Sequence, residues 1–300
     1  MWGIYKNGNA IVRINLENGT KIRETDDDEF DLDFPETIDI NCTNFCSGNC
    51  PFCYQGCSIY GEHGDLMGAK FIDTLRPYTE VALQVNDLTH PQLIPFLQKL
   101  REKRIIANIT VNQMHFKDCE TFISHLIDDD LIKGVGISLQ NPTDDFIKRV
   151  QKYPNAVIHV INGILSANDI EKLRDHNLKM LILGYKYLGR GVDYYNTNEL
   201  NIKARQRYLY DVLPTLPEKF EVLSFDNLAL DQLNVKRILP EEEWESFYMG
   251  DEGTSSMYID LVKKKFGVSS LCKPEEMHPL LDNIDDMFKV VKNEAKNNGL

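Results

Sequence analysis

Thr37-Ile-Asp-Ile-Asn-Cys42-Thr-Asn-Phe-Cys46-Ser-Gly-Asn-Cys50-Pro-Phe-Cys53-Tyr54 joins a short apolar run to a knot of cysteines. Thr37–Asn41 carries alternating β-branched residues and reads as a strand. Beyond it, Cys46, Cys50 and Cys53 stand in a C-x3-C-x2-C spacing, with Phe52 just before the third. Ser47-Gly48-Asn49 are turn-competent and Pro51 fixes a φ angle, so the loop can close tightly. Five of the seven cysteines fall between Cys42 and Cys57, while Cys119 and Cys272 stand alone. A disulfide framework spreads an even count along a short secreted chain; thiols bunched like this in a reducing compartment point to metal.

Outward from this loop the chain alternates. Strands are expected at Thr37–Asn41, Glu80–Val85, Ile105–Val111, Gly134–Leu139, Ala156–Ile161 and Leu178–Leu183. Helices are expected at Leu66–Leu75, Gln92–Lys103, Asp118–Asp128, Asp144–Gln151 and Ala167–His176, the last capped by Ser166. Such alternation forces parallel pairing with right-handed crossovers, in either an open barrel or a doubly wound sheet. Upstream, Ala10–Asn15 and Thr20–Arg23 flank Glu17-Asn-Gly19, which predicts a hairpin. The acid run Asp26–Asp33 reads as a solvated loop rather than a cation site. After Tyr185 the rhythm loosens: a helix over Leu200–Leu213, a strand over Phe220–Phe225, a short helix over Pro240–Tyr248, a half-buried strand over Ser255–Val262 and a last helix from Ile284 to Lys296. No linker separates this segment, so it reads as an extension of one domain. The expected division is 1–34 (hairpin and acidic loop), 35–191 (core) and 192–300 (extension).

The chain has 300 residues, 42% hydrophobic and 26% charged, enough to bury a core without disulfides. Lys plus Arg number 33 against 46 Asp plus Glu, a formal charge of −13, which disfavours an extensive nucleic-acid interface. No apolar run is long enough to span a membrane, and Met1–Ala10 lacks the apolar stretch of a secretory signal, so a cytoplasmic location is expected.

Thiolates ligate iron–sulfur clusters, and a cubane takes four ligands. Three from one loop leave the fourth iron open to an outside ligand. Structural zinc also takes cysteines, usually as two separated pairs, and Cys42 or Cys57 could complete such a closed site.

The C-x3-C-x-aromatic-C motif, set after the first strand of a βα repeat, resembles the radical S-adenosylmethionine superfamily. The resemblance spans roughly Pro35 to Gly191. Within that superfamily the flanks are most similar to an uncharacterised group associated with bacteriophage genomes, through Ser224-Phe-Asp-Asn-Leu228, Gly250-Asp-Glu-Gly253 and Met257-Tyr-Ile-Asp260. The resemblance implies an incomplete parallel (β/α)6 TIM-like barrel with an N-terminal β-hairpin and a C-terminal α+β extension. It implies a [4Fe–4S] cluster on Cys46, Cys50 and Cys53, with S-adenosylmethionine chelated at the open iron. Reductive cleavage would then give methionine and a 5′-deoxyadenosyl radical that abstracts hydrogen from a substrate. An electron donor such as a flavodoxin or ferredoxin is implied as partner. The family's Gly-Gly-Glu turn is replaced by Leu83-Gln-Val-Asn-Asp87, so the carbonyls of Gln84 and Val85, with Asn86 or Asp87, would meet the methionyl amine.

A parallel barrel builds its site at the C-terminal rim of its strands. Asn112, Ser138, Gln140 and Asn162 lie there as hydrogen-bonding groups for cofactor, and Lys186 as a partner for a carboxylate. His90, His115 and His159 lack metal-like spacing and read as structural or substrate-facing. Cys119 reads as a buried apolar thiol, and a lone Cys272 leaves no auxiliary cluster. Something must cover a radical from solvent. The extension is the candidate lid, with Asp226, Tyr258 and Asp260 as catalytic groups; alternatively it only seals the barrel edge. Peptide, nucleotide and small-metabolite substrates all fit. Two other readings stand beside the enzyme: a zinc-stabilised binding module, and a protein that consumes or sequesters S-adenosylmethionine with no second substrate.

Overall fold

A computed structural model describes residues 1–297. The N-terminus forms a three-stranded antiparallel sheet of Trp2–Asn7 (β1), Ala10–Asn15 (β2) and Lys21–Glu24 (β3), in that order. The expected hairpin is β2–β3, with Gly19 at φ +79° in its turn. A further strand precedes it, joined through Gly8 at φ +58°.

The rest is organised by one ten-stranded sheet. Its strands are Thr37–Asn41 (β4), Glu80–Asn86 (β5), Ile106–Asn112 (β6), Gly134–Ser138 (β7), Ala156–Ile161 (β8), Lys179–Leu183 (β9), Val222–Phe225 (β10), Ser256–Asp260 (β11), Lys265–Gly267 (β12) and His278–Pro279 (β13). The order is β10-β9-β8-β7-β6-β5-β4-β11-β12-β13. Every pair from β10 to β11 is parallel; β12 and β13 are antiparallel. The parallel run is therefore eight strands rather than six. Both added strands come from the C-terminal segment, β10 beside β9 and β11 beside β4, so that segment contributes two strands to the sheet itself.

Residues alternate along these strands. In β5, Val81, Leu83 and Val85 are buried while Glu80, Ala82, Gln84 and Asn86 are not. Open parallel sheets with helices on both faces are apolar on both sides. Here one face packs in a single core against Leu93–Glu102 (α1), Gln113–Asp118 (α2), Glu120–Asp128 (α3), Asp144–Val150 (α4) and Ala167–Leu173 (α5). Phe96, Phe116, Ile123, Phe146 and Leu173 supply that packing. The other face of all eight parallel strands lines one common lumen, so the sheet is curled and not flat.

Two helix expectations change. Over Leu66–Leu75 only a 3-10 turn forms, at Lys70–Thr74. The amides of Leu66 and Gly68 bond the side chains of Gln92 and Asp65, and residues 66–68 form a bend before that turn. Conversely, Arg190–Val212 (α6) begins ten residues before the expected helix and kinks at Asn198. Asn227–Leu233 (α7), Glu241–Phe247 (α8) and Ile284–Asn297 (α9) complete the chain. Among the described residues, no helix is long and apolar enough to cross a membrane.

Candidate functional site

Leaving β4, the chain folds back on itself. The Asn44 amide bonds the Glu62 carbonyl at 2.9 Å and the Cys46 amide the Ser58 carbonyl at 2.9 Å. This pairing pinches the segment between Cys46 and Cys57 into a tip. Asn86 holds the base, donating its amide to the carbonyls of Thr43 (3.0 Å) and Phe45 (2.8 Å). On one flank, Ser47 Oγ lies 2.9 Å from His115 Nε2 and donates to Asp87 at 3.5 Å. On the other, Arg190 at the start of α6 binds loop carbonyls.

Cys46, Cys50, Cys53 and Cys57 line a lumen of about 830 Å³. All seven cysteines are free thiols. Burial pushes the thiols of Cys46 and Cys50 up; at Cys53 the neighbouring Cys57 thiol, with the loop amides of Gln55 and Cys57, outweighs burial and pulls it below the ordinary thiol value. Donors also meet the sulfurs: the Gly48 amide reaches Cys46 Sγ at 3.3 Å, and Asn112 Nδ2 reaches Cys50 Sγ at 3.6 Å. Cys42 is fully buried, its thiol directed to the Ile40 carbonyl, and does not line the lumen.

Among the described residues, no three His, Cys, Asp or Glu side chains converge as ligands of a single ion. Thiolates of a cubane bond separate irons and need no such convergence. Three cysteines on one cavity wall, with N–H donors on two of their sulfurs, fit that group.

The lumen runs from these cysteines to the N-terminal ends of the strands, where the Leu16–Gly19 turn lines it and Asn155 Nδ2 holds the Glu17 carbonyl at 2.7 Å. Of the residues singled out from sequence, Gln84, Asn86, Asn112, Ser138, Gln140, Lys186, Asp226 and Tyr258 line it together with the cysteines. Four others do not. Val85 packs in the core on the opposite face, and its carbonyl accepts from the Leu88 amide at 3.0 Å. Asp87 is buried against Ser47 and Thr89. Asn162 lies past the end of β8, buried, its amide bonded to Gln232 at 3.0 Å. Asp260 ends β11 and turns its carboxylate onto the Lys263 amide at 2.8 Å, closing the β11–β12 turn.

In place of glycines, the end of β5 has a register shift between Gln84 and Asn86, with Asn86 and Leu88 at φ +52° and +63°. The left-handed backbone is thus reached without glycine, at a local cost of about 1–2 kcal/mol per residue. Asp226 is also a helix cap, its carboxylate accepting from the amides of Ala229 and Gly184, each at 2.8 Å.

Sequence reasoning singled out Lys186 and Asp226 but missed Asp39 and Glu252, which form a charged cluster with them. Lys186 Nζ donates to Ser270 Oγ at 2.7 Å and sits 4.3 Å over the Tyr54 ring. Burial presses this ammonium to lose its proton, but Tyr54, Asp226, Asp39 and Glu252 outweigh it and hold it above the ordinary lysine value. Asp39 faces the lumen's solvent deep inside the protein; that enclosure holds its carboxyl above the usual range, and burial does the same at Glu252. A charged residue inside the apolar alternation of β4 was the available signal for Asp39. His159 also lines the lumen, its ring pushed down to about 4 by burial.

No protein-family model matches the chain, and no curated protein matches it in sequence. Among solved structures, the fold is similar to that of Streptococcus suis SuiB bound to S-adenosylmethionine. The TM-score is 0.63 at 12% identity, over 98% of this chain and 89% of that one. SuiB bound to its precursor peptide SuiA gives 0.56 at 13%, over 89% and 82%; SuiB alone gives 0.54 at 13%, over 88% and 81%. At these identities the likeness is one of fold.

Proposed function

We propose that the chain is a radical S-adenosylmethionine enzyme, with a [4Fe–4S] cluster on Cys46, Cys50 and Cys53 and S-adenosylmethionine in the adjoining lumen. The observation that carries this reading is the three cysteines on one loop, lining the mouth of a lumen walled by eight parallel strands. When bound, such a cluster supplies the electron that cleaves S-adenosylmethionine to methionine and a 5′-deoxyadenosyl radical. The finer likeness to a phage-associated group is proposed with it.

The chain's own residues have separable tasks. Gly48 and Asn112 donate to the sulfurs and favour their thiolate form. Gln84, Asn112, Ser138 and Gln140 offer hydrogen bonds to the cofactor's polar groups, and Lys186 a positive charge to its carboxylate. The lumen walls enclose the space in which a bound cofactor and its radical would be kept from bulk water. Asp226 and Tyr258 face the same space and are the catalytic candidates on the substrate side. Asp260, Asn162, Asp87 and Val85 support the walls. The SuiB complexes with S-adenosylmethionine and with SuiA support cofactor binding here and make a peptide the first substrate class to assay. A flavodoxin or ferredoxin as donor, and a reducing cytoplasm, suit free thiols and an oxygen-sensitive cluster.

Anaerobic reconstitution with iron and sulfide, then assay of 5′-deoxyadenosine from S-adenosylmethionine with a strong reductant, tests the reading. Brown protein that forms 5′-deoxyadenosine is expected. Colourless protein with stoichiometric zinc and no 5′-deoxyadenosine would overturn it.

A further inference from the structure

The start of α6 is built against the cysteine loop. Arg190 Nε donates to the Cys50 carbonyl at 3.0 Å, and Nη1 and Nη2 both donate to the Cys57 carbonyl at 3.0 Å. Its backbone N–H adds a bond to the Cys53 carbonyl at 3.1 Å. One residue, more than a hundred positions downstream, therefore holds three carbonyls of the loop tip. Its neighbour Gly189, at φ +52°, allows the approach: a Cβ there would lie 2.3 Å from the Tyr54 carbonyl oxygen.

A planar guanidinium donates in two directions at once; an ammonium on a flexible stem cannot reproduce that fork. The loop's internal bonds are few at its tip, Cys53 amide to Cys50 carbonyl (3.2 Å) and Gly56 amide to Cys53 carbonyl (3.1 Å). Cys46 is held by its own pairing with Ser58, whereas the backbone between Cys50 and Cys57 has only these two short turns besides Arg190.

We infer that Arg190 is the positioning residue that pre-forms the three-thiolate cradle, an inference resting on the cluster reading above. Arg190 acts through the loop backbone and makes no claim on substrate or on the reaction itself. Its loss leaves the β4–β9 sheet intact and loosens residues 50–57.

The test compares wild-type protein with Arg190→Gln and Arg190→Lys. Hydrogen exchange is followed in the metal-free proteins, and iron release to a ferrous chelator after reconstitution. In Arg190→Gln the amides of Cys53 and Gly56 should exchange on the order of tenfold faster or more, as expected for lost charge-assisted hydrogen bonds. Strands β4–β9 should keep wild-type protection. Iron should leave faster from Arg190→Gln, with Arg190→Lys in between; if the Gln variant does not fold, the Lys variant carries the comparison. Wild-type exchange at the loop, exchange accelerated throughout the sheet, or iron held as firmly as in wild type would each overturn the inference. If the loop loosens but wild-type protein takes up no iron, the cluster reading falls while the clamp stands.

Discussion

The His159 imidazole fills the space that a side chain at position 136 would need. A Cβ on Gly136 would lie 2.3 Å from His159 Cε1 and 2.5 Å from Nε2. Strand β7 thus carries glycine where the ring from β8 leans across the lumen wall. Gly136→Ala must swing the ring aside and should cost about 1–3 kcal/mol. Gly136→Ala combined with His159→Ala should recover part of that loss, since the clash is then removed. Denaturant unfolding of the two single variants and the double variant measures the coupling; strictly additive losses would contradict it.

His159 also gives the protein a pH dependence. Burial holds the ring at about 4, against 6.5 for a free histidine. As pH falls, the unfolded chain takes the proton first, so this contribution is whole above pH 6.5 and is lost as pH falls towards about 4. His159→Gln should flatten that limb of the stability profile. Thermal melts across this range, run side by side, would show equal slopes if the ring were solvated in the folded state.

Asp260 should behave as a structural residue. It is 1% exposed, and its carboxylate caps the Lys263 amide and lies 3.5 Å from Lys263 Nζ. Asp260→Ala strips a partner from that turn and should cost about 1–2 kcal/mol. On the proposed function, the amount of 5′-deoxyadenosine formed per folded molecule should not change. Activity lost at wild-type stability would return Asp260 to the catalytic group.

Strand positions were legible from β-branched runs, and β4 to β9 fall within a residue or two of their expected places. The choice between curled and flat sheet was also written in the chain, in Glu80, Ala82, Gln84 and Asn86 of β5 and Asn108, Thr110 and Asn112 of β6, polar or small at every second position. Asn7-Gly8 is the same turn signal as Asn18-Gly19, and it marks the additional strand β1. Other features depend on long-range pairing that no local pattern encodes. Ser256–Asp260 reads as a strand, but only the register Tyr258 to Asp39 places it beside β4. Arg190–Glu199 contains Gly, Asn and Thr and is a poor helix former, so its helical state comes from packing on the loop. Asn162 and Asp260 are polar residues at strand ends like the lumen-facing ones; whether the backbone has already turned away there is set by the next few residues' hydrogen bonds.

Lys186 offers the sharpest electrostatic test. Its ammonium sits among Asp39, Asp226 and Glu252, bonded to Ser270 and stacked on Tyr54. Enclosure already holds the carboxyls of Asp39 and Glu252 above the usual range, with Lys186 pulling both down. Lys186→Met removes that pull, so both carboxyls rise further. A carboxyl raised in the folded state favours folding when protonated and loses that contribution as pH rises through its folded value. The variant should therefore be less stable than wild type by about 2 kcal/mol at neutral or higher pH, and the deficit should shrink on acidification. Adding Asp39→Asn should restore part of the loss at neutral pH, because one of the stranded charges is gone. Chemical denaturation of wild type, Lys186→Met and the double variant at mildly acid and mildly alkaline pH reads all three expectations. A deficit that stays constant with pH, and that Asp39→Asn does not relieve, would mean that Lys186 contributes through its packing on Tyr54 and not through the field of its charge.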